Sequence, residues 1–343
     1  MTSTQGPSDP TSPAKREGDP ASSAPTITTR MILALALPSL GALIAEPLFT
    51  VIDSTMVGHL GTPQLAGLGI ASTVLNTAVG LFIFLAYSTT SLAGRHLGAG
   101  RRDRAIRSGV EAMWLAGGLG ALAAILLAVF ASPLLTWLGA DAATMPHALA
   151  YLRASAPGLV GMFVVLAATG TLRGLQDTRT PLVAASVGAA FNAVANWVLM
   201  YPLGLGVAGS GLGTAITQTL MAAFLGWMIV RAARREGVSL RPSTHGLFGA
   251  ALEGAPLLVR TLALRVALLA TLSAVTAIST QALAAHQIVW TLWSFAAYVL
   301  DALAIAAQAL AGFTTGTGER GAMRPLLRTL SRWGIGFGVA VGV

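Results

Sequence analysis

The sequence predicts an all-α integral membrane protein, a bundle of lipid-crossing helices arranged as two related lobes. Three observations carry that prediction. The first is composition: of 343 residues, 54% are hydrophobic and 10% charged, against about 25% charged in an ordinary soluble domain. Too few charges exist to coat a water-facing surface. The second is the length of the apolar runs. Residues 31–61, MILALALPSLGALIAEPLFTVIDSTMVGHLG, are nearly unbroken and, at ~1.5 Å per residue, long enough to cross ~30 Å of hydrocarbon as a helix. Such runs recur along the chain. Helices satisfy their own backbone polar groups in lipid, which selects a helical bundle over a barrel of short alternating strands. The third is an internal repeat, described below. The chain has no cysteine, so neither a disulfide framework nor a thiolate metal site is expected.

Residues 1–30 are rich in Ser, Thr, Pro and Gly and lack the apolar core of a cleaved signal, so they are expected to form a disordered cytoplasmic tail. A first span runs from 31 to about 59 and contains Pro38 and Pro47. Each proline removes a backbone hydrogen bond and marks a hinge. Further spans are predicted at about 66–92, 110–130, 149–172, 182–201, 212–230, 250–277 and 282–311, and a ninth begins near 330. Basic residues follow the even-numbered spans: the cluster from Arg95 to Arg107, then Arg173 and Arg179, then Arg231 to Arg235, then Arg320, Arg324 and Arg328. The loops after the odd-numbered spans carry almost no positive charge. By the positive-inside rule, the even loops and the amino terminus lie in the cytoplasm of a multi-pass plasma-membrane protein. The formal net charge of +8 is thus topogenic, and no nucleic-acid partner is expected. GRHLGAGRRDR, from Gly94 to Arg104, is glycine-rich. It follows a membrane helix and lacks the lysine of a phosphate loop, so a cytoplasmic turn is expected there.

Sliding the chain against itself gives an ungapped match at an offset of 218. Pro38 falls on Pro256, Leu92-Ala93-Gly94 on Leu310-Ala311-Gly312, and Gly98, Gly100 and Arg102 on Gly316, Gly318 and Arg320. Six spans separate the copies, an even number, so both insert the same way round. This implies parallel six-helix lobes related by an axis along the membrane normal. The expected division is an amino-terminal lobe at 31–235, a cytoplasmic linker at 236–249, and a carboxy-terminal lobe at 250–343. The second lobe is expected to be truncated after three helices.

Glu46 and Asp53 stand in the first apolar run, seven residues apart and so on one helical face. A carboxylate at that depth costs roughly 2.5–3.5 kcal/mol even on the lenient insertion scale and marks an ion or substrate path. Glu46 is a possible second acid, or the structural partner of a basic residue. In the later spans Arg260 and Arg265 face the question of a counter-ion, and Asp301 supplies one. An ion pair between Arg265 and Asp301 is expected, because a buried acid or arginine left alone is costly. His286 is expected to be packed and hydrogen-bonded rather than a proton relay.

Three stretches, PLFTVIDSTMVGHLGTPQLAGLGIAST, TGTLRGLQDTRTPL and TQALAAHQIVWTLWSFAAYVLDALAIAAQALAG, resemble the multidrug and toxic compound extrusion (MATE) transporters in their DinF-like branch. The resemblance runs from about Met31 to the end. It implies a twelve-helix exporter of amphipathic, often cationic compounds, driven by H⁺ or Na⁺ and alternating between inward and outward states. It also implies that Asp53 is the cation-coupling aspartate and Pro38 the bend of the first helix. Asn192 falls on the family's polar asparagine, Asn196 stands where several members have aspartate, and Thr214 belongs to the same cluster. Arg265 replaces a carboxylate of span seven, which argues against a second cation site in the carboxy lobe.

An acid in such a hollow can load a proton from one side and release it on the other as its surroundings change. If protonation removes the charge that holds an organic cation, proton entry and drug exit become linked. The expectation is therefore proton-coupled antiport through Asp53, with Asn192, Asn196 and Thr214 as its hydrogen-bond shell and Pro38 and Pro47 as hinges. Sodium is the competing ion, since the same four residues offer oxygen ligands; no other cofactor and no bound metal are expected. A flippase for a lipid-linked amphiphile is a further alternative, and it would call for a strongly cationic cavity. No HExxH or GxSxG signature is present, so an enzyme is not expected. The partners implied are the lipid bilayer and a small amphipathic substrate, the protein working as a monomer.

Overall fold

Among the described residues the nine apolar runs become eleven helices. The computed structural model describes residues 29–278, 280–318 and 320–342, so most of the expected tail lies outside the described residues. So do some side chains within helices, that of Glu46 among them. No strand occurs among the described residues.

The first run is α1 (Thr29–Gly58), the second is shared by α2 (Thr62–Leu81) and α3 (Phe84–Gly98), and the third is α4 (Arg102–Trp137). The fourth is shared by α5 (Met145–Ser155) and α6 (Gly158–Gly174), which meet at a 52° bend. Pro157 sits at that bend and cannot donate to the turn before it. Then come α7 (Arg179–Met200), α8 (Gly206–Arg235), α9 (Thr244–Ile278), α10 (Thr280–Thr317) and α11 (Arg320–Gly342). Six helical stretches among the described residues are long and apolar enough to cross a membrane, or seven if the bent α5–α6 pair counts as one. Helix α1 continues unbroken through Pro38 and Pro47. Pro38 has no amide for the Ala34 carbonyl, and the Thr178 hydroxyl donates to that oxygen instead, at 3.4 Å.

Packing divides into three cores. One joins α2, α4, α5 and α6 through Leu135, Leu152, Leu159 and Phe163, and a second joins α4 to α8 through Ile106, Leu225 and Ile229. In the third, Ile32 of α1 meets Leu310 of α10 and Leu326 of α11, which ties the first helix to the second repeat. Leu122, Ile125 and Val129 on α4, and Val187 and Val194 on α7, remain exposed. That is the face a membrane-spanning helix turns to lipid.

The linker is shorter than the sequence suggests, because α9 begins at Thr244. It is also held against α4. Arg107 donates to the Ser239 carbonyl at 2.9 Å, Trp114 to the Leu240 carbonyl at 2.9 Å, and Ser243 to the Glu111 carboxylate at 2.6 Å.

The repeat has a direct structural expression where α3 crosses α10. Gly94 and Gly312, equivalent in the repeat, lie against each other: a Cβ on Gly94 would stand 3.0 Å from the Ala309 carbonyl oxygen, and one on Gly312 would stand 2.7 Å from that of Ser91. One turn on, a Cβ at Gly98 would collide with the carbonyl of Phe313, and one at Gly316 with that of Arg95. Ser91 and Ala309, and Arg95 and Phe313, are themselves equivalent at the same offset. The contact is its own mirror under a two-fold operation, and only small residues allow helix backbones this close. Gly100 and Gly318, the next equivalent pair, both adopt positive φ, +71° and +76°, as each chain turns out of its helix.

Candidate functional site

Asp53 is buried, with 4% of its surface exposed, on the side of α1 that faces α7 and α8. Asn196 of α7 donates to its Oδ1 at 3.0 Å, and Ser210 of α8 donates to the same oxygen at 2.5 Å. Asn192, one turn before Asn196, exchanges side-chain amide hydrogen bonds with it at 3.0 and 3.3 Å and reaches Thr217 at 3.4 Å. Thr217 in turn donates to the Gly213 carbonyl at 2.7 Å. Gly213 makes room for this arrangement, since a Cβ there would collide with Asn196 Oδ1. All five polar side chains are buried.

Of the three expected shell residues, one therefore makes direct contact. Asn196 touches the acid, Asn192 acts through Asn196, and Thr214 makes no hydrogen bond to Asp53. Thr214 Oγ1 is buried without a hydrogen-bond partner. Beside it lies the phenol of Tyr151 on α5, which also faces Ser72 of α2 and the Asp53 carboxylate. Ser210, Thr217, Tyr151 and Ser72 were not among the sequence-derived candidates. For two of them a signal was present. Ser210 and Thr217 lie four residues before and three after Thr214, hence on the same face of α8.

Chemically the cluster is one carboxylate from α1 among neutral hydroxyls and amides contributed by four other helices. Burying a carboxylate is tolerable only when its oxygens are hydrogen-bonded or it takes up a cation. Asp53 has two donors on one oxygen, from Asn196 and Ser210, and the remaining neighbours are neutral amides and hydroxyls. No group of three or more His, Cys, Asp or Glu residues that could hold a metal occurs among the described residues.

The expected pair between Arg265 and Asp301 does not form. Arg265 lies on the face of α9 next to Gly80 of α2, where a Cβ would meet its guanidinium. Asp301 faces Arg260 of α9 and Arg173 of α6 instead. Arg260 and Arg265 are five residues apart, which turns their side chains to different sides of α9. The ring of His286 packs near Trp290, with centroids 6.2 Å apart.

The family model described as MatE matches residues 38–198 and 256–343. The chain is 32% identical over 324 residues to Protein DETOXIFICATION 44, chloroplastic, of Arabidopsis thaliana, which covers 90% of this chain and 61% of that protein. It is 29% identical over 317 residues to DNA damage-inducible protein F of Escherichia coli strain K12, covering 90% of this chain and 68% of that relative. Among solved structures, that of MATE in the bent conformation superposes with a TM-score of 0.83 at 22% identity, over 91% of this chain and 71% of the other. A MOP superfamily transporter from Pyrococcus furiosus superposes with a TM-score of 0.81, also at 22% identity. The chain thus spans about 61–68% of the length of these two curated relatives.

Proposed function

This chain belongs to the MATE family of multi-pass membrane transporters, and on that premise we propose that it exports amphipathic, often cationic compounds in exchange for protons by alternating access. The observation that carries the reading is Asp53, a lone buried carboxylate among the described residues of the first six spans' polar cluster, held by Asn196 and Ser210. When Asp53 binds a proton it no longer needs two donors on Oδ1. Asn196 and Ser210 can then turn to other acceptors, and α1 is released from α7 and α8. Proton uptake is in this way expressed as helix movement, with Pro38 and Pro47 as the bending points. Related proteins named for multidrug resistance, MdtK of Klebsiella pneumoniae and NorM of Geobacillus kaustophilus, support the substrate class. The even loops and the amino terminus are assigned to the cytoplasm and the bilayer to the plasma membrane, on the distribution of arginine.

Sodium remains the second reading, favoured by the number of neutral oxygens around Asp53. One experiment separates the two. In proteoliposomes, ethidium efflux is expected under an imposed pH gradient and not under a Na⁺ gradient of the same size, and Asp53→Asn is expected to reduce it at least tenfold. Efflux that Asp53→Asn leaves intact would remove the coupling role, and efflux driven by the Na⁺ gradient alone would transfer it to sodium.

A further inference from the structure

Arg173, in the last turn of α6, is 7% exposed, and its Nε is buried without a hydrogen-bond partner. The groups it faces are the phenol of Tyr87 on α3 and the carboxylate of Asp301 on α10. Tyr87 and Asp301 also face Arg260 on α9. Two guanidiniums, that of Arg173 buried and that of Arg260 exposed, thus act on one carboxylate and one phenol, with two of the four groups from each repeat. Yet the only ion pairs among the described residues are Arg102 with Glu236 and Arg107 with Glu111, neither of them in this cluster. The one acid within reach does not close on Arg173, and the cluster keeps an excess of one positive charge.

Its position is equally specific. Tyr87 lies seven residues before Gly94 on α3, and Asp301 eleven residues before Gly312 on α10. At ~1.5 Å per residue their backbones lie roughly 10–16 Å to the outer side of the glycine seam, while Arg173 approaches them from the seam itself, where a Cβ on its neighbour Gly174 would stand 3.0 Å from Gly94 N. The cluster sits between the repeats, just above the point where they touch most closely. None of its members belongs to the Asp53 cluster.

We propose that this place is a subsite for an anionic group, a carboxylate or a phosphate, held chiefly by Arg173 with Tyr87 and Arg260. A guanidinium presents a planar fork of donors that matches both oxyanions in a bidentate way. A buried fork with an unused Nε is poised to bind such a group. The identification of the anion as part of a transported amphiphile rests on the transport reading above; the subsite itself does not. The cargo class then widens from cations to compounds with an acidic group.

Equilibrium binding of 1-naphthoate and its uncharged counterpart 1-naphthamide, to the purified chain in phosphatidylcholine nanodiscs, tests the proposal without any ion gradient. Naphthoate is expected to bind saturably and at least tenfold more tightly than naphthamide. Arg173→Gln should bring naphthoate down to the naphthamide level and leave naphthamide unchanged, a result that loss of fold would not produce. Arg260→Gln should weaken naphthoate alone, and serves if Arg173→Gln does not fold. Equal affinity of the two compounds for the unsubstituted chain, or a preference for naphthoate that survives these substitutions, would overturn the subsite. Adding phosphatidylglycerol separates two sources of the same chemistry: displacement of naphthoate assigns the place to a lipid phosphate, undisturbed binding to a soluble carboxylate. Loss of gradient-driven efflux with the naphthoate preference intact would overturn the transport reading alone.

Discussion

A proline inside a helix leaves the carbonyl four residues back without its donor, and at Pro38 that deficit is met from another element by the Thr178 hydroxyl. Thr178 is itself buried, in the short turn between α6 and α7, so the bond ties the weak point of α1 to that turn within the first repeat. Thr178→Val keeps the shape and removes the donor. It is expected to lower thermal stability by about 1 kcal/mol, the usual net worth of such a bond. In a Pro38→Ala background the restored amide serves Ala34, and the same substitution should cost close to nothing; a double-mutant cycle measures the difference. Pro38 was legible in the sequence as a missing donor in α1, but the group that answers it was not, because a threonine in a turn carries no sign of which distant carbonyl it will meet. The same limit applies around Asp53. An intramembrane acid stands out by its cost, whereas Ser210, Thr217, Ser72 and Tyr151 are types that membrane helices bury routinely. Only their placement makes them part of the site.

At the level of elements, apolar runs separated by basic or glycine-rich turns predicted the helices well, because hydrocarbon imposes the same demand on every span. The interruptions within spans were less visible. Ala156-Pro157-Gly158 is a breaker in plain view, and it coincides with the bend between α5 and α6. Phe82 and Ile83, which separate α2 from α3, belong to residue types that carry no breaking signal; tertiary packing of Phe82 against Phe84 and Phe163 accompanies that interruption. The entry to α5 is set differently. The Asp141 carboxylate accepts from the amides of Ala143 and Thr144, at 3.1 and 2.8 Å, and from the Thr144 hydroxyl at 2.8 Å. These bonds, the Thr144 amide first, hold its carboxyl below the usual carboxylate range. A group lowered by folding stabilises the folded turn above its unfolded value, about pH 4, and loses that contribution as the pH falls through the folded value. Hydrogen exchange at Ala143 and Thr144 is therefore expected to quicken, relative to the neighbouring α5 amides, only in strongly acidic solution. Asp141→Ala should quicken it at neutral pH and abolish the acid dependence.

For the molecule as a whole, the repeat that appears in the sequence as spaced glycines becomes a surface on which two copies of one motif meet. Gly98 against Phe313 and Gly316 against Arg95 are the same contact made twice, so the two substitutions should act alike. A side chain at either position must push α3 and α10 apart, since the obstructing atom in each case is backbone and cannot rotate away. On the proposed topology the seam lies at the cytoplasmic ends of these helices, and parting it would open the space between the repeats toward the cytoplasm. Gly98→Val and Gly316→Val are therefore both expected to shift the protein toward an inward-open arrangement, whereas Gly118→Val on α4, where a Cβ would meet nothing within 4 Å, should not. The chain contains no cysteine, so spin labels can be attached at Arg101→Cys and Gly321→Cys without background, and both positions are exposed. Electron–electron distance measurement should give a longer separation in either seam variant than in the labelled parent, by a similar amount in the two. Unequal shifts would mean that the two halves of the contact are not equivalent in energy, although they are in geometry.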